Sequence, residues 1–314
     1  MSKKIDLRIA VTGRVRVEIA TQIVASLYRL AGSLFRITLV TETSDSELGG
    51  NNSPLVVGRK KYHFSFANPA ALARMALLGK SYYRRKIPLR AIGVFPTWDR
   101  LVFAVHKNTG IHSLEEIREK KFPLSVSARR GGKSNTTLFV VDEVLKGYGF
   151  SLEDIEKWGG KILRAGNPSG AERADHIKSG AANSVFDEGL KSWGDLALRS
   201  AMRFLPISEK VMKRMEKIGF STASVTPREF SELDREITTL DFSGWLFFCH
   251  RDLPSSTAYR MAEAIDLSHP RIPVDHLDRK AMTMREFCQG GDGGPLTIPL
   301  HPGARKYYRE RGYL

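Results

Sequence analysis

The chain has little cysteine: only Cys249 and Cys288 occur among its 314 residues. Two cysteines form no disulfide framework of the kind that stabilises small secreted domains. One disulfide is an open alternative, but two separate buried thiols are the simpler expectation, because free cysteine is among the most buried residue types. Neither cysteine has a second cysteine or a histidine at a recognised ligand spacing, so we expect no zinc site there.

Long apolar runs are also lacking, and none approaches the ~18 residues that a membrane span needs. The N-terminus passes from Met1-Ser2-Lys3-Lys4 directly into an alternating strand pattern, without the apolar stretch and cleavage site of a secretory leader. Two expectations stay open: the protein is periplasmic if a leader was removed, and cytoplasmic if Met1 is the native start. The length predicts a chain of two domains.

Acidic residues are fewer than basic ones, 34 against 49, which gives a formal net charge of +15. Such an excess raises the question of nucleic-acid binding. The basic residues, however, fall in short scattered groups such as 59–61 and 84–86. No recognition helix, zinc finger or aromatic RNP motif accompanies them. We therefore expect a solvated surface that attracts anions, and no nucleic-acid partner.

Motifs that specify catalysis are missing. Of a P-loop only Gly132-Lys133-Ser134 is present, and Ser127 stands where the first glycine should be. The chain has no GxSxG elbow, and its histidines have none of the spacings of a metal site. The sequence therefore predicts no catalytic residue, no metal and no cofactor, and favours binding over turnover.

The order of elements predicts an α/β fold. Strand patterns at 5–12, 35–40 and 62–67 alternate with helical patterns, and Asn68-Pro69 has the form of a helix cap followed by a first helical residue. This alternation predicts mostly parallel sheets flanked by helices. Two long strands, near 100–105 and 244–250, are candidates for chain crossings between two lobes. The predicted domains are 1–100 with 245–314, and 101–244.

The stretch from Arg129 to Thr137 is the sharpest local signal. Its glycines allow backbone N–H groups to turn toward a ligand, and Ser134, Asn135 and Thr136 follow at the start of a predicted helix. A helix N-terminus favours anions, because its N–H groups and its dipole both point outward there. A capped turn without a ligand is the alternative.

Asp187 and Glu188 directly follow the strand residue Phe186. Ligands of α/β sheets bind beyond the carboxyl ends of the strands, so the pair is a candidate to accept hydrogen bonds from a ligand. A hinge salt bridge and a solvent-facing helix start are the alternatives. As an acid/base dyad the pair is weak, since neighbours on a strand point to opposite faces.

Three further candidates stand near predicted strand ends. Arg14 follows the first strand and has the guanidinium that clamps a carboxylate; a solvated arginine is the alternative. Asn68 follows the third predicted strand. Trp98 is placed where the first crossing strand is predicted to begin, and either stacks on a ligand or belongs to the core.

The C-terminal stretch 298–314 carries two closely spaced prolines, a glycine and a short aromatic-basic segment that is predicted to be helical. It resembles the C-terminal signature of the TAXI family of solute-binding proteins, which serve TRAP transporters. Further stretches are similar to the family's pattern in the same order: 111–117, 125–127, 144–149, 176–180 and 183–186. The resemblance extends over most of the chain.

The resemblance implies a type II periplasmic-binding-protein fold, in which two α/β lobes close like a hinge on a ligand in the cleft between them. It further implies a small, carboxylate-bearing solute and, as partners, the membrane subunits of a TRAP transporter. We expect a monomer or a weak dimer. The residues that would line the ligand are Arg14, Asn68, Trp98, Ser134, Asn135, Thr136, Phe186, Asp187 and Glu188.

Two alternatives to solute delivery stay open. One is a cytoplasmic ligand-binding or sensor protein of the same fold. The other is an enzyme on this scaffold that acts on a small carboxylate or a pyrimidine precursor. An enzyme would need an acid or base with a shifted pKa, and Asp187 and Glu188 are the candidates.

Overall fold

The fold is described from a computed structural model of the chain, over residues 4–42, 46–272 and 281–314. The start at Met1, on which the localisation expectation depends, lies outside these residues. The chain divides into two compact units. Unit 1 consists of the residues up to Trp98 together with those from Ser243 onward, and unit 2 is Asp99–Phe242.

The first segment of unit 1 alternates strands and helices. Gly13 separates the first strand from the first helix with a φ of 85°, a conformation that favours glycine. The elements are β1 Ile5–Thr12, α1 Arg14–Ala31, β2 Phe35–Glu42, α2 Ser53–Gly58, β3 Phe64–Ala67, α3 Ala71–Leu78 and β4 Leu89–Phe95.

Unit 2 follows without interruption of the chain. Two of its helices end at glycines, Gly149 and Gly219, in the left-handed conformation of a helix C-cap. Its elements are β5 Arg100–His106, α4 Leu114–Glu119, β6 Ser125–Arg129, α5 Thr136–Tyr148, α6 Leu152–Lys157, β7 Lys161–Ala165, α7 Ala171–Lys178, β8 Ser184–Asp187, α8 Leu190–Arg199, β9 Met202–Leu205, α9 Glu209–Ile218, β10 Thr222–Val225 and β11 Ile237–Asp241.

The chain then returns to unit 1. Helix α11 begins with a complete capping box, in which the side chains of Thr283 and Glu286 bond to each other's backbone N–H groups. The elements of this segment are β12 Trp245–His250, α10 Ser255–Ser268, α11 Met284–Gln289, β13 Gly290–Gly291, β14 Gly294–Pro295 and α12 Pro302–Glu310.

The sheet of unit 1 has the strand order β2-β1-β3-β12-β4. Strands β2, β1 and β3 are parallel, and β12 runs antiparallel to both β3 and β4. Leu7, Ile9 and Val11 share one face of β1 and join a buried cluster with apolar residues of α1, α10 and α12. The strand that returns from unit 2 therefore completes the sheet of unit 1.

The sheet of unit 2 has the order β10-β11-β5-β8-β6-β7, and β9 pairs with β5. Strands β8, β6 and β7 are parallel, whereas β5 runs antiparallel to β8, β9 and β11. The predicted fold class, α/β in two units with sheets flanked by helices, is confirmed. Within the described residues, no helix is long and apolar enough to cross a membrane.

The C-terminal motif fastens α12 to unit 1. The His301 imidazole accepts a hydrogen bond from Gly303 N at 3.2 Å, and Pro302 is the first helical residue. A Cβ on Gly303 would lie 2.0 Å from the carbonyl oxygen of Ser255, so only glycine allows this approach. Tyr308 donates from its hydroxyl to Ile92 O at 2.8 Å. The motif that carries the family resemblance therefore has a structural role, the packing of α12 against unit 1.

Two local predictions are wrong. Asn68 is not a helix cap and Pro69 is not a first helical residue: α3 begins at Ala71, after a cis Asn68-Pro69 bond. Proline fixes only its own φ, so the pattern does not determine where the helix starts. The first crossing strand begins at Arg100 rather than Trp98, and Asp99 between them accepts hydrogen bonds outside the ladder.

Candidate functional site

The carboxyl ends of β6 and β8 lie side by side in unit 2. The parallel register pairs Ser127 with Val185, which brings the last residues of the two strands, Arg129 and Asp187, to the same edge of the sheet. Strand β5 runs the other way and starts at this edge, directly after Asp99. This end of the sheet, called the unit 2 edge, therefore carries the cation of Arg129 and the carboxyl groups of Asp187 and Asp99.

Asp187 is fully buried and forms an ion pair with Arg173 of α7. The Arg173 guanidinium also donates to Ser127 O at 2.5 Å, so it bridges strands β6 and β8. Burial raises the pKa of Asp187 to about 7, and the charges of Arg173 and Arg129 limit the rise. The alternative of a solvent-facing helix start is therefore wrong for this pair, since Glu188 is also buried.

Arg129 has a guanidinium whose hydrogen bonds are incompletely made. Its side chain is 13% exposed, and its Nε lies 4.0 Å from Asp187 Oδ1. Its Nη2 lies 3.9 Å from Glu188 Oε1. Nε and Nη1 are buried and have no hydrogen-bond partner in the described part of the chain. A buried donor without a partner costs about 1–3 kcal/mol, and more when charged, so these groups favour an external acceptor.

The loop 130–135 joins Arg129 to helix α5. Asn135 caps the helix, because its Oδ1 accepts from Leu138 N at 3.1 Å. Its Nδ2 donates to Arg130 O at 3.4 Å, which holds the two ends of the loop together. Thr136, the first residue of α5, is buried, and its hydroxyl has no partner among the described residues. Arg129 and Thr136 thus flank the base of one loop at a helix N-terminus.

Asp99 holds the start of α8 in place. Its carboxylate accepts from Gly189 N at 2.8 Å and from Leu190 N at 3.1 Å. Burial, followed by the negative charge of Glu188 and a hydrogen bond with it, raises the pKa of Asp99 well above its usual range. These surroundings therefore favour the neutral form of the Asp99 carboxyl group.

The raised pKa of Asp99 gives a testable pH dependence. Because the folded-state pKa of Asp99 is raised, the folded chain holds a proton that the unfolded chain has lost above pH ~4. The free energy of unfolding therefore falls as pH rises from that value toward the raised pKa. We expect Glu188→Gln to make this slope shallower and to raise the free energy of unfolding at pH ~8 by about 1 kcal/mol. Urea unfolding across this range measures both quantities.

Glu119→Gln is the matched control, because Glu119 is exposed at the end of α4. It removes the same charge away from Asp99 and should leave the slope unchanged. Identical slopes in the Glu188 variant and the unaltered protein would show that Glu188 does not contribute to the raised pKa of Asp99.

Unit 1 places its candidates differently. The Arg14 side chain is 87% exposed and lies 4.0 Å from Glu18. Arg16, two residues further on, instead turns back to the strand end. Its Nε donates to Thr12 O at 2.8 Å, and its guanidinium lies 5.4 Å from the centre of the Trp245 ring. Asn68 is half-buried at the carboxyl end of β3. Of these residues, Arg16 gives the strand end its positive charge.

The remaining predicted residues differ in their surroundings. Ser134 is half-buried in the loop, and Trp98 is half-buried at the end of unit 1. Phe186 is fully buried, with its ring centre 5.0 Å from that of Phe103, so it belongs to the core of unit 2. The unit 2 edge therefore brings together Asn135, Thr136, Asp187 and Glu188 from the sequence-predicted set.

Sequence reasoning missed three residues of this edge. Arg129 is the first residue of the glycine-containing stretch 129–137, and that position was the available signal. Asp99 and Arg173 have no such signal, because their roles depend on partners that are distant in sequence. Among residues 4–42, 46–272 and 281–314, no group of three His, Cys, Asp or Glu side chains is placed to hold a metal ion.

Comparison with known proteins identifies one family. The model of the NMT1-like family matches residues 34–312, about nine-tenths of the chain. Among solved structures, the chain is similar to the alkanesulfonate-binding protein SsuA from Xanthomonas axonopodis pv. citri bound to MOPS. That likeness has 14% identity, a TM-score of 0.42, and coverage of 89% of this chain and 77% of the other.

Two further likenesses are of the same order. PhnD1 from Prochlorococcus marinus in complex with methylphosphonate has 12% identity and a TM-score of 0.47, with coverage of 98% and 99%. The binding protein ProX from Borrelia burgdorferi has 14% identity and a TM-score of 0.43, with coverage of 78% and 75%. All three TM-scores are below 0.5, so the family assignment depends on the family model alone.

Proposed function

We propose that this chain, which belongs to the NMT1-like family, binds a small organic anion at the unit 2 edge and does no chemistry on it. The observation that carries the proposal is the set of buried donors without partners: Nε and Nη1 of Arg129 and the hydroxyl of Thr136. A carboxylate oxygen is a strong acceptor for a guanidinium N–H group, so one such oxygen could pair with Nε or Nη1 of Arg129. The helix N-terminus at Thr136 adds a favourable dipole.

The charges of the edge fit an anion of modest size. Arg173 pairs with Asp187, and the raised pKa of Asp99 favours its neutral form. The positive charge of Arg129 is therefore available to a ligand, although Asp187 and Glu188 lie about 4 Å from its guanidinium. A second anionic group on the ligand would be repelled by Glu188. The site therefore favours a ligand with one carboxylate at Arg129 and hydrogen-bond donors on the side that faces Glu188.

Binding is proposed rather than turnover because of where the acidic pair lies. The enzyme alternative needs an acid or base that reaches a substrate, and Asp187 is fully buried and paired with Arg173. Two α/β units joined by two chain crossings agree with the type II periplasmic-binding-protein fold that the sequence resemblance implies. On that resemblance we propose that the solute is delivered to a TRAP-type transporter and that the protein works in the periplasm.

A thermal-shift screen tests the proposed function. Amino acids, dicarboxylates, 2-oxo acids and aromatic acids are compared with their amides, which lack the charge. A ligand that binds only the folded state stabilises it by ~2.7 kcal/mol at a hundredfold excess over its Kd. We expect an upward shift of Tm with one class of carboxylate and none with its amide. A flat screen, or equal shifts for acid and amide, would refute carboxylate binding.

A further inference from the structure

Three segments of unit 1 form a strongly basic surface. They are residues 59–61, 80–90 and 250–252, and together they are called the basic face. The basic face contains nine Lys and Arg residues and a single acidic one, Asp252, a net charge of +8. The whole chain has a net charge of +15. More than half of the excess therefore resides in segments that are far apart in sequence.

Direct contacts hold the three segments together. Lys60 Nζ lies 3.0 Å from Asp252 Oδ2, and Arg251 N donates to Pro88 O at 2.8 Å. The side chain of Ile87 packs against Gly58, immediately before the first segment. Strands β3 and β4 begin here and β12 ends here, so the basic face lies at the amino edge of the unit 1 sheet. The carboxyl edge, with Asn68, is the opposite one.

The basic face is almost purely charged. Its Lys and Arg side chains are exposed, except for half-buried Arg90. Of its two tyrosines, Tyr83 is fully buried and donates to Asn51 O at 2.9 Å. Tyr82 is half-buried, donates to Asn52 Oδ1 at 3.1 Å and packs edge-on against the Tyr83 ring. None of the exposed large apolar side chains in the described part of the chain belongs to the basic face. Those side chains are Ile5, Tyr28, Leu30, Leu34, Leu267 and Leu314.

This composition distinguishes between partners. Specific protein interfaces have an apolar or aromatic centre that a charged rim surrounds, and the basic face has no such centre. Single-stranded nucleic acid is bound by stacking successive bases on exposed aromatic rings, and neither tyrosine of the basic face is exposed, since Tyr83 is buried and Tyr82 half-buried. A surface of anionic lipid headgroups needs neither, because clustered Lys and Arg bind it through charge alone.

We propose that the basic face docks the protein on an anionic phospholipid surface, with the amino edge of the unit 1 sheet toward the headgroups. The carboxyl edge of that sheet then faces away from the lipid. The inference is independent of which solute is bound. It predicts that membrane attachment and ligand binding are lost in different variants.

Co-sedimentation with vesicles tests this surface. We expect the full chain to bind vesicles of equal parts phosphatidylglycerol and phosphatidylcholine at low ionic strength, and not to bind pure phosphatidylcholine. Each basic residue near an anionic leaflet raises partitioning roughly fivefold. The triple variant Arg84→Gln, Arg85→Gln and Lys86→Gln should therefore weaken binding ~100-fold.

The matched control removes the same charge from unit 2, at exposed positions: Arg199→Gln, Lys210→Gln and Lys217→Gln. It should retain most of the vesicle binding. Two results would overturn the proposal: no binding of the unaltered protein to phosphatidylglycerol vesicles, or equal losses in the two triple variants. Equal losses would mean that net charge alone, and not the basic face, attracts the protein. Circular dichroism of each variant checks that it is folded.

Discussion

Replacing Arg173 by methionine is expected to lower the free energy of unfolding by about 3–5 kcal/mol. Arg173 is almost fully buried and donates both to Asp187 and to Ser127 O. Methionine retains most of the side-chain volume, so the loss reports the charge rather than a cavity. What remains is a buried carboxylate whose nearest cation, Arg129, is 4.0 Å away. Urea unfolding at neutral pH measures the effect.

The double variant Arg173→Met with Asp187→Val separates two explanations. If the cost of the single change comes from an uncompensated charge, removing the carboxylate as well should restore most of the stability, since apolar replacement of a whole buried pair is often neutral. If the cost comes from the lost hydrogen bond to Ser127 O, the double variant should be as unstable as the single one. That outcome would refute the charge argument.

The pH dependence of the single variant gives a second check. Without Arg173, the cation that limits the pKa of Asp187 is gone, so the pKa rises further above the value of about 7 in the unaltered protein. A raised carboxyl pKa destabilises the fold as pH rises through the interval between the unfolded and folded values. The defect should therefore shrink at pH ~5, where the folded state holds Asp187 protonated, and grow toward pH ~8.

The extent to which the sequence predicts this molecule depends on the range of the interactions involved. Strand β1 is predicted with its observed bounds, because alternation of apolar residues is a local pattern. The predicted start of α3 is wrong, because the Asn68-Pro69 pattern is compatible with more than one backbone conformation. The cap at the start of α5, which Asn135 provides, depends only on residues close in sequence.

The site shows the same division. Asp187 and Glu188 attract attention in the sequence because acidic residues follow a strand, but the ion pair that buries Asp187 requires Arg173 from another element. Nothing in the composition of α7 indicates that its arginine is buried, since the helix is otherwise polar. Only the sheet register, which pairs Ser127 with Val185, shows that Arg129 and the acidic pair share an edge.

Arg129→Met is expected to weaken binding of the carboxylate that the thermal-shift screen identifies by ~100-fold or more. Losing one partner of a desolvated charge pair costs about 2–5 kcal/mol, and ~2.7 kcal/mol corresponds to a factor of 100. Stability should change far less than in the Arg173 variant. Nε and Nη1 of Arg129 make no hydrogen bonds to the described chain. Replacing the guanidinium therefore deprives no buried acceptor of a hydrogen bond from these two atoms. Isothermal titration of the unaltered protein and of the Arg129 variant gives the two affinities.

Arg130→Met is the matched control for this change. Arg130 is the next residue, its side chain is 59% exposed, and it pairs with Glu172 at 2.5 Å on the outer side of the loop. Both substitutions remove one positive charge from neighbouring positions, so long-range attraction of the anion falls equally in the two variants. Only direct contact distinguishes them. We therefore expect the Arg130 variant to bind within a few-fold of the unaltered protein. Equal losses would show that Arg129 acts through the general field. Undiminished binding by the Arg129 variant would move the solute away from the unit 2 edge without refuting that the protein binds one.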